Sequence, residues 1–215
     1  MKTAFLIDGF NFYHSIENLD KELRWFDYDS YCRHFLQPGD TLHSISYFTA
    51  LAFWRPDSVS RHKIFIEACI AKGLNVILGK FKPKNVYCPS PSKANPPGCH
   101  QCPQCFVLHT EKATDVNIAL YAYRLAVTVQ KIILVSGDTD LIPAVKLIKE
   151  DFPHVRVEAV FPFNRANFEF TQAVDAHYRT RQEILKRFQL PETIQKANGK
   201  LIVRPKPWLA SSPSC

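Results

Sequence analysis

The sequence has no apolar stretch approaching the ~20 residues needed to span a bilayer. Its compact hydrophobic runs, Ala4 to Ile7 and Lys131 to Val135, are far shorter, and Asp8 cuts the first before it can serve as the core of an export signal. These absences predict a cytoplasmic protein with no membrane segment. A disulfide framework is missing too. The seven cysteines are an odd number, and four crowd between Cys88 and Cys105, a distribution suited to metal in a reducing compartment. Acidic residues are absent from Lys80 to Thr110, whereas Lys80, Lys82, Lys84 and Lys93 are present.

What is present is a globular composition. With 215 residues, 46% hydrophobic and 22% charged, the chain suits one large domain, or one domain with an insertion, and excludes wholesale disorder. The net charge of +7 gathers late: Arg179, Arg181, Lys186, Arg187, Lys196, Lys200, Arg204 and Lys206 face only Glu183 and Glu192. Such a surplus can meet phosphates, and it equally suits a solvated basic helix face and tail.

Ala4 to Ile7 reads as a short buried strand, and Asp8-Gly9-Phe10-Asn11 as a strand-to-helix turn in which Gly9 permits a tight backbone and Asn11 caps the helix. A strand is expected within Leu42 to Ala50. A helix follows from about Ser58, its cap, to Lys72, with Gly73 as its stop, and then a strand from Asn75 to Leu78. From Lys82 to Leu108 periodicity is lost among six prolines and the cysteines, which marks an insertion. Val116, Ala119, Leu120, Tyr123, Ala126 and Val127 then form one apolar face of a helix over about Lys112 to Val129. Lys131 to Val135 predicts a strand ending in Ser136-Gly137-Asp138-Thr139-Asp140, followed by a helix from Leu141 to Glu150 that carries Pro143 in its first turn. A strand over Val155 to Phe161 and a helix over Thr171 to Phe188 complete a domain of residues 1–190. Beyond it, residues 191–215 read as a basic, proline-bearing tail. The alternation of strand and helix predicts an α/β fold, a doubly wound, mainly parallel sheet with helices on both faces. Sites in such sheets lie at the carboxyl ends of the strands.

Asp8 and Asp138 both fall where a strand gives way to a turn, so they project toward one edge. Asp140 follows two residues later, and Asp115 starts a helix able to lean over that edge. Carboxylates held close repel one another unless a divalent cation neutralises them, and hard oxygen ligands suit Mg²⁺ or Mn²⁺. Such an ion lowers the pKa of a water and orients it for in-line attack on a phosphodiester. Taken singly, Asp140 suits a helix N-cap, Asp115 a first-turn anion and Asp8 a turn former. Their joint placement favours a metal site.

Three segments carry a resemblance. Ile7-Asp8-Gly9-Phe10-Asn11, Glu111-Lys112-Ala113-Thr114-Asp115-Val116 and Leu134-Val135-Ser136-Gly137-Asp138-Thr139-Asp140-Leu141 together resemble the signature segments of the NYN domain family, which is similar to PIN domains and belongs with the PIN-like and 5′-nuclease folds. The resemblance covers roughly Lys2 to Tyr178. It implies a metal-dependent ribonuclease acting on RNA, with Asp8, Asp115, Asp138 and Asp140 at the acidic positions. Asn11 and Ser136 match polar positions beside them, and Glu111 and Lys112 match a further pair. Members of the family without an established reaction leave a second class open, a non-catalytic module that binds RNA or protein.

Cys88, Cys99, Cys102 and Cys105 read C-x₁₀-C-x₂-C-x₂-C, a spacing that lets thiolates converge on one tetrahedral Zn²⁺. A proline-rich segment with little apolar content gains its order from such a crosslink. His100 and His109 are spare ligands, and redox thiols the competing reading. Cys69 reads as core, while Cys32 and Cys215 have no assigned role. A haloacid-dehalogenase-like phosphatase also places aspartates after a strand, yet it needs a second aspartate where Phe10 stands. Whether the chain pairs with itself or with another protein is left open.

Overall fold

The computed structural model describes residues 1–87 and 105–209, without the side chains of residues 87, 105 and 106. Strand β1 (Lys2–Asp8) leads into α1 (Gly9–Ile16), a 3-10 turn (Lys21–Arg24) and α2 (Tyr28–His34). β2 (Thr41–Thr49), α3 (Pro56–Ala71) and β3 (Asn75–Leu78) follow. A hairpin of β4 (Lys80–Tyr87) and β5 (Cys105–Lys112) precedes α4 (Thr114–Ala126), β6 (Lys131–Val135), a 3-10 turn (Thr139–Leu141) and α5 (Ile142–Asp151). Then come β7 (Arg156–Phe161), α6 (Phe168–Ala173), β8 (Ala176–Arg179), α7 (Gln182–Arg187), β9 (Thr193–Gln195), β10 (Leu201–Val203) and a last 3-10 turn (Lys206–Trp208). No described helix is long and apolar enough to cross a membrane.

The central sheet has six strands in the order β3-β2-β1-β6-β7-β8, all parallel, as expected of a doubly wound α/β fold. Its strand order reverses between β1 and β6, and the register there pairs Ile7 with Val135. Asp8 and Ser136 therefore leave the sheet side by side, at the crevice where doubly wound sheets bind ligands.

The strands are apolar throughout because both faces are covered. Phe5, Ile7, Ile133 and Val135 pack toward Phe12, Trp25, Tyr31 and Phe65 on one side. Ala4, Leu6, Ile132 and Leu134 pack toward Ile118, Ala122, Val145 and Ile148 of α4 and α5 on the other. One cluster of charges is deeply buried at the opposite end of the sheet. The ammonium of Lys131 lies 2.6 Å from Asp40 and 3.9 Å from Glu158, each of the three side chains at most 2% exposed.

Three expectations are corrected. The stretch from Lys82 holds regular structure: β4 and β5 form a ladder from Lys80 opposite Lys112 to Tyr87 opposite Cys105. Alternating lysines and Pro83 hide that period. The helix expected over Thr171 to Phe188 is broken by β8, where Asp175 accepts the Val157 N–H at 2.8 Å and brings the next residues into the sheet. The tail expected after Pro191 is docked, with Ile194, Ile202 and Trp208 buried in the aromatic core beside Trp25 and Phe65. Two of its basic residues are engaged internally, Lys196 with Glu67 at 2.6 Å and Arg204 with the Glu22 carbonyl at 2.9 Å.

Candidate metal centre and adjoining cavity

Asp8 is the N-cap of α1, correcting the role expected of Asn11. One carboxylate oxygen accepts the Asn11 N–H at 2.9 Å, and the other accepts the Ser136 hydroxyl at 2.8 Å. The Ser136 Oγ in turn accepts the Asp138 N–H at 3.1 Å. Asn11 reaches across to accept the Gly137 N–H at 3.1 Å. These bonds tie the end of β1 to the end of β6 and fix where both acids stand.

Asp138, and not Asp140, caps the turn after β6, accepting the Asp140 N–H at 3.0 Å. Gly9 and Gly137 are required for space. A Cβ on Gly9 would lie 2.5 Å from the Phe48 carbonyl oxygen and from the Tyr47 ring, and one on Gly137 would overlap the Arg165 carbonyl. Gly9 has no positive φ, so clearance is its role there. Ala113, with φ of 76°, turns the chain from β5 into α4 and sets Asp115 in the helix's first turn.

The result is a convergence. Carboxylate oxygens of Asp8, Asp115 and Asp138 lie within 4.8 Å of one another. Oxygens on opposite sides of an octahedral Mg²⁺ are about 4.2 Å apart, so this donor set fits one hard divalent cation with little closure. The electrostatics agree. Burial pushes the Asp8 carboxyl from 3.8 up to about 6, against the Asn11 and Ser136 hydrogen bonds, and Asp115 and Asp138 add repulsion. Burial also pushes Glu111 up to about 7, opposed by the Thr114 hydroxyl and reinforced by Asp8 and Asp115. Asp115 is raised by burial and by its neighbours Asp138 and Asp140.

The other expected residues divide. Asn11 and Ser136 orient the acids, and Glu111 stands within their field, bonded by Thr114. Asp140 is exposed and outside the group of three converging acids. Lys112 is exposed and, among the described residues, pairs with no acid. Cys88, Cys99 and Cys102 lie outside the described residues, as do His100 and Cys215, and only the backbone of Cys105 is described. Cys32 and Cys69 are buried free thiols in the core.

Sequence reasoning missed a cavity of about 330 Å³ beside Gly9 and Phe10. Its walls include Phe10, Tyr13, Trp54, Phe81 and His109, and its polar lining includes Thr49 and His62. The Trp54 and His109 rings stack with centroids 3.7 Å apart and planes 10° apart. Phe81 and His109 come from β4 and β5 and flank the segment, Lys82 to Leu108, in which the sequence showed no period. The discernible signal was Phe53-Trp54-Arg55-Pro56, aromatics directly after a strand.

The NYN domain family matches residues 2–181. The 6-hydroxy-3-succinoylpyridine 3-monooxygenase HspA of Pseudomonas putida is 28% identical over 242 residues, covering 97% of this chain and 75% of that protein. A crystal structure of a protein of unknown function from Vibrio parahaemolyticus shares the fold, with a TM-score of 0.53 and 21% identity, covering 88% of this chain and 96% of that one.

Proposed function

The chain belongs to the NYN domain family, and on that premise we propose that it is a metal-dependent endoribonuclease that hydrolyses RNA phosphodiester bonds. The observation that carries the reading is the convergence of Asp8, Asp115 and Asp138 at the point where the strand order reverses. In this reading the three acids hold Mg²⁺ or Mn²⁺, with Asp140 at the outer edge. An ion held there would supply water activation and charge neutralisation at the phosphate. Ser136 and Asn11 keep Asp8 and the Gly137 backbone in register, so that the acids need not reorganise during the reaction. Glu111, whose carboxyl is pushed up to about 7 in the metal-free protein by burial and by Asp8 and Asp115, is assigned a place beside the phosphate. Lys112 is assigned to the phosphate backbone, which positions a strand without reading its sequence. Zn²⁺ held by Cys88, Cys99, Cys102 and Cys105 belongs to the same proposal as a structural ion, as does a cytoplasmic location.

The test is incubation of metal-stripped, zinc-replete protein with single-stranded and structured RNAs, with and without Mn²⁺ or Mg²⁺, beside Asp138→Asn. Cleavage that needs added metal, leaves 5′-phosphate ends and disappears in the variant is the expected result. No cleavage of any RNA, with affinity unchanged by the substitution, would overturn catalysis and leave an RNA-binding module.

A second reading has an observation of its own, the relative named for oxygenation of a pyridine together with the aromatic cavity. Because the named position carries the succinoyl group, such a reaction replaces a ring C–C bond by C–OH with one atom of O₂, releases the acyl group as an aldehyde and reduces the other oxygen to water, with four electrons from an external reductant. Three carboxylates without a histidine suit Mg²⁺ or Mn²⁺ better than the two-histidine, one-carboxylate iron sites of oxygenases, which sets hydrolysis first. Oxygen uptake on adding a hydroxypyridine and reduced nicotinamide would reverse that order.

A further inference from the structure

The cavity and the acidic centre share a wall. Gly9 and Phe10 follow Asp8 directly, and Phe81 stands opposite Glu111 in the β4–β5 ladder. Opposed residues of a ladder show their side chains on one face, so the hairpin presents Phe81 and Glu111 together, with His109 two residues further along. Whatever occupies the cavity therefore lies next to whatever the carboxylates hold.

Its aromatic walls are partly exposed. Phe10 is 40% exposed, Tyr13 42% and Trp54 38%, although each lines a concave site. Trp54 stacks on His109 and meets Phe81 in a T-shaped contact with ring centroids 4.8 Å apart, and the two neighbours hold it in place. Polar groups stand at fixed positions. Thr49 Oγ1 and His62 Nε2 are hydrogen-bonded at 3.2 Å, and burial lowers His62 to about 4, so its imidazole is neutral, with Nε2 engaged by Thr49. Arg24, Arg55 and Arg61 also line the cavity, and the buried Nε of Arg24 has no hydrogen-bond partner among the described residues. The volume, about 330 Å³, is at the small end of ligand sites and admits one nucleoside, not a duplex.

Building on the ribonuclease reading, we propose that this cavity receives one unstacked nucleobase of a single-stranded RNA, stacked on Trp54 with its polar edge toward Thr49 and His62. The arginines serve the flanking phosphates, and the neighbouring phosphodiester is thereby delivered to the carboxylates. Aromatic stacking accepts any base, whereas the Thr49–His62 pair reads an edge, so the site gives the enzyme a base preference at one position.

The proposal is tested by binding, independently of cleavage. Asp138→Asn protein in chelator is titrated with short single-stranded RNAs carrying one 2-aminopurine, whose fluorescence falls when it stacks. The same titration is made in protein also carrying Trp54→Ala or Trp54→Phe. Free 2-aminopurine riboside and a free hydroxypyridine serve as competitors. Quenching at one position of the strand is expected, with affinity falling about 5- to 150-fold for Trp54→Ala and largely restored by Trp54→Phe. RNA that binds without quenching, or with affinity indifferent to Trp54→Ala in a folded variant, overturns the assignment. Tight binding of the free hydroxypyridine that RNA does not displace overturns it in favour of a small heteroaromatic ligand. If quenching and its Trp54 dependence hold while RNA cleavage fails, the cavity assignment stands and the nuclease reading falls. Cleavage without quenching gives the reverse.

Discussion

The acidity of Asp8 makes the metal-free protein's stability depend on pH in a way that one substitution removes. The folded state raises the Asp8 carboxyl from 3.8 to about 6, so it binds that proton more tightly than the unfolded chain does. Asp8 therefore contributes stability below pH 4, and loses it as pH rises to 6 and beyond, where both states are ionised. The rise corresponds to about 3 kcal/mol, at about 1.4 kcal/mol for each tenfold change in acidity. Asp8→Asn removes the ionisation and weakens the bond from Ser136, a loss of about 1 kcal/mol. Without metal, the variant is expected to be about 0.5 kcal/mol less stable than the native protein at pH 4 and about 2 kcal/mol more stable at pH 7.5. The latter is an increase of about 4–8 °C in melting temperature for a chain of this size. Urea and thermal unfolding in chelator at the two pH values measure it. A difference between the proteins that does not change with pH would refute the reasoning. Adding Mn²⁺ at pH 7.5 should then stabilise only the native protein, by about 2.7 kcal/mol at a hundredfold excess over the dissociation constant.

Other perturbations test the frame around the site. Gly137→Ala puts a methyl group into the Arg165 carbonyl, and is expected to lose at least about 2 kcal/mol in urea unfolding, because backbone must move to admit it. A loss under 0.5 kcal/mol would mean that the Arg165 loop yields freely. Asp40→Ala takes the near carboxylate from buried Lys131 and leaves Glu158 at 3.9 Å, a change expected to cost about 3–5 kcal/mol, read in the same way. For the cysteine cluster, metal analysis of purified protein should find one zinc per chain, lost in Cys99→Ser combined with Cys102→Ser. Full zinc content in that variant would dismiss those ligands.

The sequence made some of this visible because the signal was local. A run such as Lys131 to Val135, followed by a turn of small and acidic residues, has few other folded uses, and the strand occupies those residues. Gly73 stops α3 through its own backbone, at φ of +87°. The break inside Thr171 to Phe188 was hidden because an edge strand is made by its neighbour. Residues 176–179 pair with β7, and tertiary pairing overrides a local pattern that suits a helix. The hairpin was hidden for a like reason, since its ladder joins residues up to 32 positions apart, Lys80 with Lys112.

By itself, then, the amino-acid order determined the doubly wound sheet, its strand ends and the acids that stand there, because burial on both faces and the turn residues write those features into neighbouring positions. Tertiary structure decided which acids meet. Asp8, Asp115 and Asp138 come together, while Asp140, only two residues from Asp138, stays at the surface, because carboxylate convergence depends on where β1, α4 and β6 are packed. It also decided the cavity, whose aromatic walls come from α1, the loop after β2, β4 and β5, segments that share no sequence period and meet only once the sheet and hairpin are assembled.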